Sequence, residues 1–367
     1  MKDLRLAVVG AGTLGSELSR LLAENSFSNV LLIDPDRLEP HNVALSSLYR
    51  DIVAEEEHEA FTHYKTELLV DWARQKYSLT WESFAAEIAD TGLGRLALCD
   101  LVISCTDSTL ARVETALAAR VLNLPMLDGG VRGEGIPAGR VSWFSPSHDA
   151  ACYLCGISEI RRAELLSYAL STSLGCGLPA EAPAMTGAPD AVRETAAAML
   201  ELIQSFSADK HCLKTSFSSR IEWDLTAQSW IQKDLKLPRS VACPWHDLPE
   251  GEWLPLGYDQ PIRDSLHRNN MRVQLLWPHC LEARCRVCGH QSTPNLRVAR
   301  LRRKAVCAQC GTIGSYEPTR IIDSVGDEDF AADFTPRQLG LTKQHLYLFR
   351  RVFAPMMRRK DVDEPVA

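Results

Sequence analysis

Apolar and polar positions fall into blocks that read as an α/β chain. Leu4 to Val9 is an apolar run that stops at Gly10, a helical pattern follows Gly15, and a second apolar run, Val30-Leu31-Leu32-Ile33, stops at Asp34. Residues Ile52 to Trp72 carry an acidic helical pattern. Leu96 to Ser104 reads as a strand, Thr109 to Leu122 as the helix after it, and Gly139 to Phe144 as another strand beyond a glycine-dense stretch from Pro125 to Gly135. Between Gly156 and His211 a polar helix gives way to small residues and prolines through Pro189, then to a helix from about Val192 to Phe206. The middle of that segment reads as an exposed loop. Near the far end, Leu339 to Met357 is rich in Leu, Phe and Arg and reads as a helix, with a disordered tail beyond it. No internal repeat interrupts the pattern.

The first stretch is the most informative. Strand, Gly10-Ala11-Gly12-Thr13-Leu14-Gly15, helix, strand and Asp34 come in the order of a nucleotide-binding βαβ unit. Gly10 permits the tight turn, Gly12 lets backbone N–H groups approach a phosphate, and Gly15 lets helix and strand pack closely. The helix N-terminus then faces the anion, and a carboxylate at the position of Asp34 meets a ribose hydroxyl. A Rossmann-like domain with a central, mostly parallel sheet is the expected fold class.

At 367 residues the chain has room for one large α/β domain and a smaller module. Its net charge of −7 argues against nucleic acid as the main partner. The sequence offers no apolar run of transmembrane length and no signal peptide, so a cytoplasmic, membrane-free protein is expected. Its twelve cysteines then point to metal sites or a reactive thiol rather than disulfides.

Several further positions carry candidate chemistry. The polar loop Asp34 to Asn42 suits a polyphosphate and its metal, or is simply solvated. Lys65 stands alone in a helical stretch, where a lysine ordinarily faces solvent. Asp107, in Cys105-Thr106-Asp107-Ser108, either ligates Mg²⁺ or caps the following helix. Cys105 reads as a buried strand-end residue. Cys152 and Cys155 form one CxxC pair that Cys243 and His246 can complete as a tetrahedral site. Cys285, Cys288, Cys307 and Cys310 form a zinc-ribbon pattern. The arginines and lysine at Arg297, Arg300, Arg302, Arg303 and Lys304 are either a solvated hairpin or a dock for an acidic partner.

In that order these motifs resemble the ThiF/MoeB and ubiquitin-activating enzyme family across roughly residues 4 to 250. The resemblance rests on the glycine loop, Asp34-x-Asp36 with Asn42 beyond it, Lys65, the Cys105-Thr106-Asp107-Ser108 turn, Gly129-Gly130 and the two metal pairs. It implies an adenylation domain over residues 1–250, with a crossover loop near 156–192. A zinc-ribbon domain over 251–322 and a tail over 323–367 would follow. It also implies ATP and Mg²⁺ as ligands; the cysteine spacings add an expectation of two structural Zn²⁺ sites, the ribbon standing where the family usually carries another appendage. Asp34 would hold the ribose, Asn42 and Lys65 the phosphates, and Asp107 the Mg²⁺ at the α-phosphate. The family arginine that follows the asparagine by three residues is Leu45 here, so Arg50 would have to serve.

The implied reaction adenylates the terminal glycine of a ubiquitin-like protein. Cys176, in a loop resembling the family's crossover loop, would then take the acyl group as a thioester for passage to a conjugating enzyme; Cys212 and Cys280 are weaker candidates for that thiol. Family members are usually dimers, so a homodimer or a heteromeric complex is expected. Sulfur-carrier adenylation shares every nucleotide residue with this reading. A non-catalytic scaffold subunit is the alternative that Leu45 favours. A nicotinamide dehydrogenase would leave both cysteine sets unexplained.

Overall fold

The computed structural model describes residues 4–132, 137–170, 188–208, 217–226, 229–246, 252–266, 271–341, 343 and 346–351. The chain divides into two compact units, Met1–Leu248 and Pro249–Ala367.

In the first unit the strands are β1 (Arg5–Val9), β2 (Asn29–Ile33), β3 (Glu82–Phe84), β4 (Leu101–Ser104), β5 (Met126–Arg132), β6 (Ala138–Phe144), β7 (Ser218–Thr226) and β8 (Ser229–Leu237). They form one sheet in the order β3-β2-β1-β4-β5-β6-β7-β8. Pairings from β3 through β5 are parallel and those from β5 through β8 antiparallel. The helices are α1 (Thr13–Glu24), α2 (Pro40–Leu45), α3 (Ser47–Glu56), α4 (Lys65–Tyr77), α5 (Leu93–Leu96), α6 (Thr109–Val121), α7 (Glu159–Leu170) and α8 (Pro189–Ala208). The parallel strands are apolar on both faces because helices cover both: Leu6, Val8, Leu32, Leu101 and Ile103 pack with α1 and α8 on one face, while Ala7, Val9, Leu31, Ile33 and Val102 are buried on the other, where α6 packs on β4 and β5. Strand order reverses between β1 and β4, which opens a crevice at the carboxyl ends of the strands.

The structure differs from the sequence reading in four places. The expected strand from Leu96 begins only at Leu101, because residues 93–99 turn through α5. Leu98 points outward there, 63% exposed, while Leu96 and Cys99 are buried. The expected helix over Ile52 to Trp72 is broken. After α3 and a 3₁₀ turn, Tyr64 starts α4, its N–H donating to Glu67 Oε2 at 3.0 Å, and the His63 carbonyl is taken by the Leu38 N–H. That break seats the loop after β2 against the start of α4.

The other two differences lie in the second unit. It holds β9 (Glu252–Pro255), α9 (Ile262–Leu266), β10 (Met271–Cys285), β11 (Gln291–Ser292), β12 (Leu296–Arg297), α10 (Val298–Lys304), β13 (Tyr316–Gly326) and β14 (Leu346–Arg351). The expected basic hairpin is the helix α10, with Val298, Ala299 and Leu301 buried and Arg297 buried ahead of them. Of the expected helix over Leu339 to Met357, the described residues form a turn at Gly340 and β14, which pairs with β10 and β9; Tyr347 packs into the core there. Gly340 has φ +66°, and a Cβ on it would sit 2.1 Å from the Asn295 carbonyl oxygen, so the chain turns there instead of continuing a helix. The strand β13 runs through 322–323 without a break. The expected disordered tail, residues 352–367, lies outside the described residues.

Candidate functional site

The glycine turn is built by contact with the turn after β4. Gly10 has φ +96°, and a Cβ on it would lie 2.9 Å from the backbone of Cys105 and Thr106. A Cβ on Gly15 would lie 1.9 Å from the Gly10 carbonyl oxygen, whereas one on Gly12 meets nothing within 4 Å. The first turn of α1 is therefore locked to the strand end, while its outer side at Gly12 and Thr13 is open. No side chain caps α1 and no acid sits in its first turn, which leaves the helix start suited to an anion.

Asp34 reaches back to this turn. Its Oδ2 accepts the Ala11 N–H at 2.6 Å and its Oδ1 accepts the Asp36 N–H at 2.8 Å. Burial pushes its carboxyl above the ordinary range, against the pull of the Ala11 hydrogen bond. Behind the turn, the buried Tyr49 donates its hydroxyl to the Ala11 carbonyl at 2.6 Å, and Ser16 meets Ser46 at 2.8 Å.

Lys65 does not face solvent. It is the first residue of α4, 7% exposed, with Nζ 3.5 Å from Asp36 Oδ2. Asn42 is engaged locally: its Oδ1 accepts the Glu39 N–H at 3.0 Å, and its Nδ2 lies 2.9 Å from His41. Arg50 is exposed, its Nη2 donating to the Ala44 carbonyl at 3.4 Å.

The helix α6 is capped by Ser108, whose hydroxyl accepts the Ala111 N–H at 3.3 Å. Asp107 is left as an exposed carboxylate beside the glycine turn, so capping no longer accounts for it. Sequence reasoning missed what holds this turn. The buried Arg112 donates from Nε to the Thr106 carbonyl at 2.8 Å, from Nη1 to Asp128 at 3.2 Å and from Nη2 to the Gly129 carbonyl at 3.1 Å. Asp128 also accepts the Ser104 hydroxyl at 2.9 Å. The available signal was an acid directly before Gly129-Gly130.

Two cysteine-rich clusters are assembled, each with its four ligand atoms within 4.8 Å of one another. In the first, Cys152 Sγ lies 3.8 Å from Cys155 and 3.6 Å from Cys243, and Cys155 lies 3.1 Å from His246 Nε2. In the second, Cys285 lies 3.7 Å from Cys310 and Cys288 lies 3.6 Å from Cys307. A tetrahedron with Zn–S bonds of ~2.3 Å has edges near ~3.8 Å, so both donor sets fit zinc. Hydrogen bonds from Cys152 and Cys243 hold the Cys155 thiol well below its usual range, and the Ser315 hydroxyl leads the lowering of Cys285 to about 6.

At the end of α6, Arg120 Nη1 donates to the carbonyls of Pro146 at 3.1 Å and Ser147 at 2.7 Å, and its Nη2 lies 2.8 Å from His246 Nδ1. Cys105 and Cys280 are buried with their thiols raised, Cys280 to about 12, so neither is a ready nucleophile. Cys176 and Cys212 lie outside the described residues. No helix among the described residues is long and apolar enough to cross a membrane.

A glycine turn under an open helix start, with acids at the ends of β2 and β4, defines a Rossmann-type α/β protein, to which the chain adds two cysteine-rich metal clusters. It belongs to the ThiF family, whose sequence profile matches residues 1–343. Ubiquitin-like modifier-activating enzyme 5 of rice, Oryza sativa subsp. japonica, is 26% identical over 192 residues, covering 48% of this chain and 45% of its own length. The Xenopus laevis protein of the same name is 27% identical over 171 residues, covering 42% and 40%. Each match thus spans less than half of the relative. Among solved structures, E. coli MccB with ATP gives a TM-score of 0.47 at 18% identity over 66% of each chain.

Proposed function

We propose that the chain is an ATP-dependent adenylating enzyme acting on the C-terminal glycine of a ubiquitin-like protein. The observation that carries this reading is the exposed Asp107 carboxylate beside a glycine turn with open space at Gly12, ahead of a helix start that no side chain caps. The relatives named for activating ubiquitin-like modifiers, with organisms as distant as rice and frog, support the substrate class.

In this reading Asp34 takes the ribose hydroxyls, and the open start of α1 at Gly12, Thr13 and Leu14 receives phosphate. Lys65, held by Asp36, neutralises phosphate charge, with Asn42 and Arg50 at the rim of the same loop. Asp107 holds Mg²⁺, which when bound draws negative charge from the phosphate oxygens. The carboxylate oxygen of the modifier bonds to the α-phosphorus as the bond from that phosphorus to the bridging oxygen breaks, giving acyl-adenylate and pyrophosphate. The residues position and neutralise; none needs to act as a general base. The Cys176 thiolate then attacks the acyl carbon, AMP leaves, and a thioester remains for a conjugating enzyme. The enzyme works in the cytoplasm, as a dimer or within a larger complex.

ATP–pyrophosphate exchange with glycine-terminated candidate modifiers tests the first step. Asp107→Ala should lower the exchange about 10²–10³-fold without changing the melting temperature. Intact-mass analysis tests the second: a thioester adduct in wild type and, in Cys176→Ala, adenylate without adduct. Adduct formation that survives Cys176→Ala would move the thioester to another cysteine, Cys212 or Cys280, whereas adenylate without any adduct in wild type would leave adenylation for sulfur-carrier chemistry as the better reading. Failure to bind ATP·Mg²⁺ would favour a scaffold subunit, the role to which Leu45 points.

A further inference from the structure

Arg140 is the cation that the site as described does not use. It lies on β6 directly across from Gly130 of β5, two residues past Asp128, the last residue that β5 pairs with β4. A Cβ on Gly130 would come within 2.9 Å of Arg140 Nε and 3.3 Å of Arg112 Nη1, so glycine there lets two guanidinium groups lie over the strand. The carboxylate below them is already engaged, since Asp128 accepts from Ser104 and Arg112. Arg140 Nη2 stays 3.8 Å from it, in ion-pair range but beyond a hydrogen bond. Arg140 Nε is buried with no partner, while the side chain as a whole remains 37% exposed.

Two arginines against one carboxylate leave an excess positive charge. A guanidinium with five donors ordinarily meets an oxyanion, often in a two-pronged pair. Its place in the sheet selects which anion. The order Asp34 after β2, Gly10 after β1, Asp107 after β4, Asp128 on β5 and Arg140 on β6 puts Arg140 across Asp107 from the side proposed for the ribose. At about 4.8 Å per strand, Arg140 is about 10 Å from β4 and about 19 Å from β2. The nucleotide occupies the β2–β1–β4 side, and the partner that must approach the α-phosphorus comes from the other.

We propose that Arg140 binds the terminal carboxylate of the incoming polypeptide and delivers it toward the phosphate held at Asp107. The assignment rests on the adenylation reading above. Arg112 is the positioning residue: by bonding Thr106, Asp128 and Gly129 together it fixes the Asp107 turn relative to the strand that faces Arg140.

The test uses the full zinc-loaded chain. Arg140 is labelled with phenylglyoxal and quantified by peptide mapping in four samples. These are protein alone, protein with a non-hydrolysable ATP analogue and Mg²⁺, and that mixture with a millimolar decapeptide ending in Gly-Gly, either as free acid or as C-terminal amide. The free acid is expected to slow labelling of Arg140 about tenfold, with the amide and the nucleotide alone leaving it unchanged. Protection by the nucleotide alone would assign Arg140 to phosphate and overturn the proposal. Equal protection by acid and amide, or by neither, would also overturn it. Calorimetric titration of the same protein with ATP·Mg²⁺ separates the two failures: loss of nucleotide binding sinks the adenylation reading, whereas normal binding with no carboxylate-specific protection sinks only the role of Arg140. Arg140→Lys should keep part of the free-acid affinity that Arg140→Gln loses, with ATP affinity equal in both.

Discussion

Asp34 is ionisable yet nearly out of water, and its protonation therefore feeds into folding. Burial raises its carboxyl above the ordinary 3.8. The folded chain thus binds this proton more tightly than the unfolded chain does. The stability contributed is complete below the unfolded value and is lost as pH rises through the folded one, so the charged form is a cost at neutral pH. In nucleotide-free protein, the melting temperature of Asp34→Asn relative to wild type is expected to improve as pH goes from about 4 to about 7. A difference that stays flat with pH would contradict this. Asp34 was legible because its distance from the glycines and its place at a strand end are both one-dimensional facts. Arg112, Asp128 and Arg140 were not, because their meaning arises only when the register of β4, β5 and β6 sets them side by side. The burial of Lys65 was not legible either, because it depends on the break that lets the loop after β2 pack on α4.

Among elements, the opening strand–turn–helix was read correctly since Gly10 and Gly15 each answer a separate steric demand. Gly15 and Gly12 look alike in the sequence and differ in space. Gly15→Ala must push the Gly10 carbonyl aside, with an expected loss of about 1–3 kcal/mol in urea denaturation. Gly12→Ala has open space around it, and its stability should stay within about 0.5 kcal/mol of wild type. Equal losses in the two variants would show that the turn is not held as described. The elements misread were those decided by tertiary pairing. Leu346–Arg351 is a strand because β10 and β9 offer it partners, and α10 is a helix because Val298, Ala299 and Leu301 share one buried side.

For the molecule as a whole, the cysteine spacings told more than any other pattern, because each CxxC turn is a local geometry that survives whatever the rest of the chain does. In the second unit, Cys285 and Cys307 are also members of a small apolar core with Val298, Leu301 and Tyr316. A core that small needs a metal to hold it, and structural zinc supplies an apparent binding energy of about 10–16 kcal/mol. Zinc released by denaturation and measured with a chromogenic chelator should be about two equivalents in wild type and about one in Cys285→Ser. Limited proteolysis of that variant should open the segment 271–326. Retention of both equivalents, or unchanged cleavage, would remove zinc from the account of this unit. What composition could not disclose was the division of labour: one cluster closes a small core of its own, and the other sits at the foot of α6.

That second location matters. The helix α6 has 13 residues, a rod of about 20 Å. Its leading end is stitched by Arg112 to the turn carrying Asp107, and its trailing end is stitched by Arg120 to the backbone of Pro146 and Ser147 beside His246. Stripping the ion from Cys152, Cys155, Cys243 and His246 slackens the anchorage of the rod, and the slack arrives at the opposite tip. In the adenylation reading proposed above, an oxidant that attacks only those distant thiolates would therefore blunt the protein's grip on nucleotide without touching a single atom of the crevice.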